Sequence, residues 1–221
     1  RADKLLTIYN GIEVERFVGH LDKGSIKISL GLPGSSITII TVASLTEKKG
    51  HVYLLKAFKE IIKKVKNVYW LLVGDGPLKT KLRRYSESLN IHDHVMFLGK
   101  RSDIPELVGM SDIFVLSSVT EGLPLSVVEA MAAGLPVVAT NAGGTSEIVR
   151  EGVTGILVPA KNVQALSTAI IALINNEKKA QKMGEEALKF CRERFSTEIM
   201  LAQIEELYEK LLNTHDVLNT G

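Results

Sequence analysis

Two carboxylates and a glycine have the most chemically suggestive spacing in the chain. Glu121-Gly122-Leu123-Pro124-Leu125-Ser126-Val127-Val128-Glu129 follows an apolar run and opens a helical pattern. Open α/β sheets bind ligands at such a place, beyond the carboxyl ends of their strands. The amides of Leu123 and Leu125 fall near the helix N-terminus, where unpaired N–H groups and the helix dipole favour a phosphate, and Gly122 lets that ligand approach the backbone. Glu121 and Glu129 could also be read as an acid–base pair. The carboxyls of a glycoside hydrolase stand about 5 to 9.5 Å apart, whereas eight helical steps cover about 12 Å at about 1.5 Å each. The spacing therefore argues against a shared reacting bond and allows one acid to meet a sugar while the other meets a ribose. As isolated acids they would read only as a capping and a solvated glutamate.

A second segment, Val42-Ala43-Ser44-Leu45-Thr46-Glu47-Lys48-Lys49-Gly50, also leaves a strand and enters a helix. Lys49 offers positive charge beside Gly50, as a diphosphate requires, and Ser44 can donate a hydrogen bond but no charge. Away from a strand end, Lys48-Lys49 would be an ordinary solvated pair. Gly74-Asp75-Gly76-Pro77 reads as a tight turn, since it lacks the third glycine of a dinucleotide fingerprint and the Gly-Lys-Ser/Thr of a P-loop. Gly143-Gly144-Thr145-Ser146-Glu147 suits either close backbone approach or ligand contact, and both readings stay open. His92-Asp93-His94 has metal-capable side chains, but three consecutive residues do not easily face one ion, so a surface turn is expected. No Asp-x-Asp pair is present, and no metal site is expected.

The elements that must position these residues follow from periodicity. Ile37 to Ala43, Val68 to Val73, His94 to Leu98, Asp112 to Ser117, Pro136 to Thr140 and Gly155 to Val158 read as strands, several apolar throughout, as strands covered on both faces require. Between them run helical patterns: Val52 to Val65, Leu78 to Leu89 after Pro77, Ile104 to Met110 capped by Asp103, and Leu125 to Ala133 closed by Gly134 and Pro136. Val163 to Ile174, Lys178 to Arg194 and Thr197 to Leu212 follow. The alternation predicts an α/β fold with a doubly wound parallel sheet of about six strands and extra C-terminal helices. Residues 1–21 are expected to be a connector, 22–195 the domain proper, and 196–221 a C-terminal helix that packs on another domain.

Composition narrows the function classes. The 221 residues carry 27 Lys and Arg against 25 Asp and Glu, a formal charge of +2 with no long block of one sign, so a nucleic-acid partner is not indicated. Hydrophobic residues at 45% and charged residues at 24% exclude disorder or a collagen-like repeat. The apolar stretches are far shorter than the roughly 20 residues of a membrane span. Cys191 is the single cysteine, which rules out an internal disulfide and is expected to serve packing. Arg1 to Thr7 lack the zones of a secretory signal, and the chain is expected to start inside a longer protein.

Taken together the motifs resemble the C-terminal half of family-four retaining glycosyltransferases, which have the GT-B fold of two facing Rossmann-like domains. The resemblance runs in order through Ile8-Tyr9-Asn10-Gly11-Ile12, Lys49-Gly50, Gly74-Asp75-Gly76-Pro77, Phe97-Leu98-Gly99, the Glu121 to Glu129 signature with its extension to Val138, Gly143-Gly144 and Gly152-Val153-Thr154-Gly155. It implies that Lys49 binds the donor diphosphate, Glu121 the transferred sugar and Glu129 the ribose hydroxyls. It implies too that the amides at Leu123 and Leu125 take the phosphate, and that Lys100 to Ile104, with the Arg101 stem, meet the nucleobase.

The implied activity is transfer of a hexose-type sugar from a nucleotide donor to a glycan or lipid-linked acceptor, with retention and without a metal or other cofactor. The acceptor and any peripheral membrane contact would fall to an N-terminal domain, at the cytoplasmic face of a membrane. The half alone would be inactive. One departure stands out: the family usually has Gly-Arg where this chain has Ala43-Ser44, which lowers the positive charge available to the leaving diphosphate. That departure keeps open a non-catalytic nucleotide-sugar-binding or interaction domain on the same fold. An NAD-dependent oxidoreductase would need a glycine fingerprint after the first strand, and Ala43-Ser44-Leu45 does not provide one.

Overall fold

A computed structural model describes residues 5–19 and 21–218, with side chains to residue 212. Residues 1–4 and 20 of the expected connector, and 219–221 of the C-terminal segment, lie outside the described residues. Six strands form one sheet: β1 (Ile37–Val42), β2 (Val68–Val73), β3 (Val95–Gly99), β4 (Ile113–Leu116), β5 (Val137–Thr140) and β6 (Gly155–Val158). All pair in parallel, in the order β3-β2-β1-β4-β5-β6. The chain winds outward from β1 through β3, then returns to the other side of β1 and winds through β6. The reversal between β1 and β4 leaves a crevice at their carboxyl ends.

The helices are α1 (Lys23–Ser29), α2 (His51–Lys64), α3 (Lys79–Ser88), α4 (Ile104–Gly109), α5 (Leu125–Ala132), α6 (Thr145–Ile148), α7 (Val163–Ile174), α8 (Glu177–Arg194) and α9 (Thr197–Leu218). Successive strand residues point to opposite faces, so neighbours divide between two cores. Ile40, Phe114 and Val137 pack with Leu107 of α4, Val127 of α5 and Phe190 of α8. Ile39, Trp70 and Val115 pack with Phe58 of α2, Leu82 of α3 and Ile170 of α7. A fully buried side chain such as Phe58 contributes roughly 1.5–3 kcal/mol. The buried Trp70 indole donates to Thr41 Oγ1 (3.0 Å), whose hydroxyl donates to Val115 O (2.8 Å), so the polar atoms between the strands are satisfied.

The expected strands agree with the observed ones to within one residue at each end. α1 was not expected: Lys23-Gly24-Ser25-Ile26-Lys27-Ile28-Ser29 is short, glycine-containing and rich in β-branched residues. Tertiary contacts hold it instead. The Lys27 ammonium is buried, donating to Asp112 Oδ2 (2.9 Å) and Ser36 O (2.6 Å), and the Asp22 carboxylate caps its first turn by accepting from Ser25 N (3.2 Å). Asp103 does not cap α4 through its side chain, a correction to the sequence reading; its carboxylate is taken by Arg101 at 2.8 and 2.5 Å. α5 ends in a Schellman motif, with Leu135 N donating to Ala130 O, Gly134 N to Met131 O, and Gly134 at φ +71°.

Candidate functional site

The two strand-end segments meet at the crevice between β1 and β4. After β1 the chain makes a 3-10 turn at Glu47–Lys49, and Gly50 at φ +64° starts α2. Only glycine fits there, because a Cβ on Gly50 would lie 2.0 Å from Ser117 O. Ser117 Oγ donates to Lys49 O (3.1 Å) and Val119 N to Lys48 O (2.7 Å), tying this loop to the one that follows β4. The Lys49 ammonium thereby reaches Glu121 Oε1 at 2.5 Å, with only 15% and 8% of the two side chains exposed. Ser118 Oγ donates to the same carboxylate oxygen (2.5 Å), and Thr140 Oγ1 donates to Ser118 O (2.5 Å). A cation and a hydroxyl thus converge on one nearly buried carboxylate.

The Gly143-Gly144 loop serves this arrangement structurally. Gly143 lies at φ +54°, and a Cβ there would fall 1.8 Å from Glu121 O. Gly144 N donates to Gly122 O (2.9 Å). Beside this loop Gly122 is exposed and has open space where its side chain would be. α5 then begins at Leu125 with Pro124 at the cap position and no side chain bonded to its first-turn amides. The amides of Leu123 and Leu125 therefore stand where the sequence put them, at a helix N-terminus free of a competing carboxylate or hydroxyl cap.

Glu129 lies one helix turn deeper and does not join Glu121. It lines a separate cleft of about 360 Å3 with Ile104, Arg16, Phe17, Gly11 and Thr197. Burial raises its carboxyl pKa, and the Arg16 charge partly opposes that shift. Sequence reading missed Arg16 and Phe17, which belong to the expected connector. Nothing in the sequence shows that residues more than a hundred positions from Glu129 close over it. The connector is held there by a parallel bridge between Ile12 and Ser196, by Ile12 N donating to Phe195 O (2.8 Å), and by edge-on packing of Tyr9 on Phe195.

At the end of β3, Lys100 is exposed and its charge helps hold the Asp75 carboxyl below the ordinary range, after the larger effects of Lys79 and the Gly76 amide. Arg101 is paired with Asp103 and does not line the Glu129 cleft, whereas its neighbours Ser102 and Ile104 do. Ser44 is exposed at the end of β1, its hydroxyl 3.4 Å from Thr46 Oγ1, and its carbonyl accepts from His51 Nε2 (3.0 Å). The Gly74-Asp75-Gly76-Pro77 turn braces that same strand end, with Leu45 N donating to Asp75 O and Leu78 N to Leu45 O, both at 3.0 Å. His94 Nδ1 meets Val68 O (2.9 Å) within a 3-10 turn. Burial pushes the Cys191 thiol up to about 12, which makes it inert at neutral pH.

With this geometry in place, comparison with known proteins gives a consistent answer. The chain is 33% identical over 206 residues to N-acetyl-alpha-D-glucosaminyl L-malate synthase of Bacillus anthracis, covering 93% of this chain and 54% of that protein. It is 32% identical over 178 residues to UDP-Gal:alpha-D-GlcNAc-diphosphoundecaprenol alpha-1,3-galactosyltransferase of Escherichia coli, covering 79% and 46%. Anabaena HepE, solved in complex with UDP-glucose, superposes with a TM-score of 0.87 at 29% identity, over 95% of this chain and 58% of that one. The chain spans about half the length of the curated relatives it matches, and its six-stranded α/β sheet is a Rossmann-like domain of the GT-B type. Residues 22–190 match the family of glycosyl transferases group 1, and the chain belongs to that family.

Proposed function

We propose that this chain is the donor-binding domain of a retaining glycosyltransferase that moves a hexose from a nucleotide donor to a glycan or lipid-linked acceptor. The observation that carries this reading is the Lys49–Glu121 pair at the β1/β4 crevice, beside the open N-terminus of α5. On binding, Lys49 turns toward the donor diphosphate, the amides of Leu123 and Leu125 take its phosphate oxygens, and Glu121 is freed to accept from hydroxyls of the transferred sugar. Glu129 accepts from the ribose hydroxyls in the cleft it shares with Ile104, while Lys100, the Arg101 stem and Ile104 meet the base. Uridine is the base the reading favours, since the E. coli relative is named for UDP-Gal and the Anabaena relative was solved with UDP-glucose.

The chemistry assigned to these residues is placement and charge stabilisation. The acceptor attacks the anomeric carbon on the face the nucleotide leaves, and the departing phosphate takes the acceptor's proton. Lys49 and the helix amides stabilise the charge on that phosphate, and no metal or other cofactor takes part. The acceptor is held by a further domain of the protein, so residues 22–195 bind donor without transferring it, with 1–21 connecting and 196–221 packing on that domain. The cytoplasm, at the face of a membrane, is the expected compartment; among the described residues no helix is long and apolar enough to cross one.

Ser44 supports a second reading, a domain that binds nucleotide sugar without catalysis, because it brings no charge to the diphosphate. Calorimetric titration of the chain with UDP, GDP and ADP tests the first part of the proposal: UDP is expected to bind most tightly. Failure of all three nucleotides, in the chain and in the full-length protein alike, removes the donor site. In the full-length protein Glu121→Ala is expected to reduce transfer at least about a hundredfold. Donor binding without transfer or donor hydrolysis by the unmutated protein supports the second reading.

A further inference from the structure

A cavity of about 860 Å3 lies on the opposite face of the sheet from the Glu129 cleft, between the start of α2 and α3. Its apolar wall is Tyr53, Leu78, Leu82 and Tyr85, all part of the core that α2, α3 and α7 share. Leu82 is buried and the two tyrosines and Leu78 are half-buried, so the wall is a recess and not a set of scattered surface residues. Four exposed cations from three stretches of chain border it: Lys48 before α2, Lys81 and Arg84 on α3, and Lys161 before α7. None is ion-paired among the described residues, and Glu47 is the only acid lining the cavity. His51, 1% exposed, also lines it, and its Nδ1 has no hydrogen-bond partner.

An apolar recess bordered by uncompensated cations selects a ligand with both an apolar body and a multivalent anionic head. A carboxylate brings one charge, whereas a phosphate monoester brings about −1.5 to −2 and three strong acceptor oxygens. We propose that this cavity binds an anionic amphiphile, a phosphate ester carrying an apolar chain, with the chain against Tyr53, Leu82 and Tyr85 and the phosphate among Lys48, Lys81, Arg84 and Lys161. The site is separate from the donor crevice and does not depend on the donor reading. It shares segments with the crevice, since Lys48, Gly50 and Thr120 line the cavity and flank Lys49 and Glu121.

The test is titration of the 221-residue chain with monododecyl phosphate below its micelle threshold, with inorganic phosphate, and with dodecyl maltoside. Monododecyl phosphate is expected to bind saturably and at least tenfold more tightly than either comparator. The double variant Lys81→Glu/Arg84→Glu, on the exposed face of α3, is expected to weaken it at least tenfold while leaving the thermal midpoint and UDP affinity unchanged. Equal binding of inorganic phosphate would assign the site to free anions and overturn the proposal. Equal binding of dodecyl maltoside would reduce it to an apolar recess, and an unaffected double variant or absence of saturable binding overturns it as well.

Discussion

The surroundings of Glu121 and Glu129 differ more than their common helix-start segment suggests. Glu121 is 8% exposed, yet its charge is met by Lys49 at 2.5 Å and by the Ser118 hydroxyl. Glu129, one turn into α5, is desolvated in a cleft where Arg16 only partly offsets the cost. One carboxylate is compensated inside the protein, so a ligand must compete with an existing partner. The other is left short of partners, so hydroxyl donors from a ligand would supply what the fold does not. Low exposure therefore does not by itself tell which acid is ready to bind; the partners already present decide it.

The largest effect expected from breaking this contrast comes at Lys49. Lys49→Ala leaves Glu121 nearly buried without its cation and is expected to cost about 3–5 kcal/mol of stability, with loss of measurable UDP binding. The double variant Lys49→Met/Glu121→Gln is expected to recover most of that stability, since no buried charge is left unpaired, and none of the UDP binding. Urea denaturation and calorimetry separate the two quantities. If the double variant is as unstable as Lys49→Ala, the pair is not what compensates Glu121.

A smaller effect disturbs Glu121 through its backbone alone. Gly143→Ala places a methyl 1.8 Å from Glu121 O in a backbone conformation of φ +54°. Left-handed strain and overlap together are expected to cost about 2 kcal/mol. The readout is the urea midpoint, with donor affinity falling because the β4–α5 loop moves. An unchanged midpoint would mean that the loop yields freely and that Gly143 does not position Glu121.

The smallest effect is at the unpaired acid. Glu129→Gln is expected to weaken UDP about tenfold, as loss of a charge-assisted hydrogen bond does. It should also raise stability at neutral pH. The sign follows from the raised carboxyl pKa: the folded protein resists ionisation that the unfolded chain permits, so wild type loses stability as pH rises from the ordinary glutamate range through the folded value. The glutamine variant has no such loss, and the difference between the two should vanish in acid and reach a plateau above the folded pKa. Thermal midpoints measured across pH 3 to 8 would show it; a constant difference would mean that Glu129 is solvated.

Much of this was legible in the residues themselves. Apolar runs such as Val68 to Val73 and Ile113 to Leu116 declare strands covered on both faces, and the recurrence of Leu54, Leu55, Phe58, Ile61 and Ile62 declares α2. The Glu121 to Glu129 segment, with its glycine and proline, marked a helix start at a strand end. The partners of the two acids were not legible, because Lys49 is 72 residues from Glu121 and Arg16 farther still from Glu129. Their meeting depends on the strand order. α1 was missed for a related reason, since its helical state rests on Lys27 reaching Ser36 and Asp112 and not on its own propensity. Asp103 was misassigned as a cap because a nearby guanidinium outcompetes the helix amides for its carboxylate.

The bridge between Ile12 and Ser196 has a consequence for the Glu129 cleft. Two passages of chain almost the whole sequence apart run side by side there, joined by reciprocal backbone hydrogen bonds, and a Cβ on Gly11 would lie 2.6 Å from Ser196 O. They form a single strap. Because Gly11, Ile12 and Thr197 are also walls of the Glu129 cleft, the two passages together build one wall of that cleft.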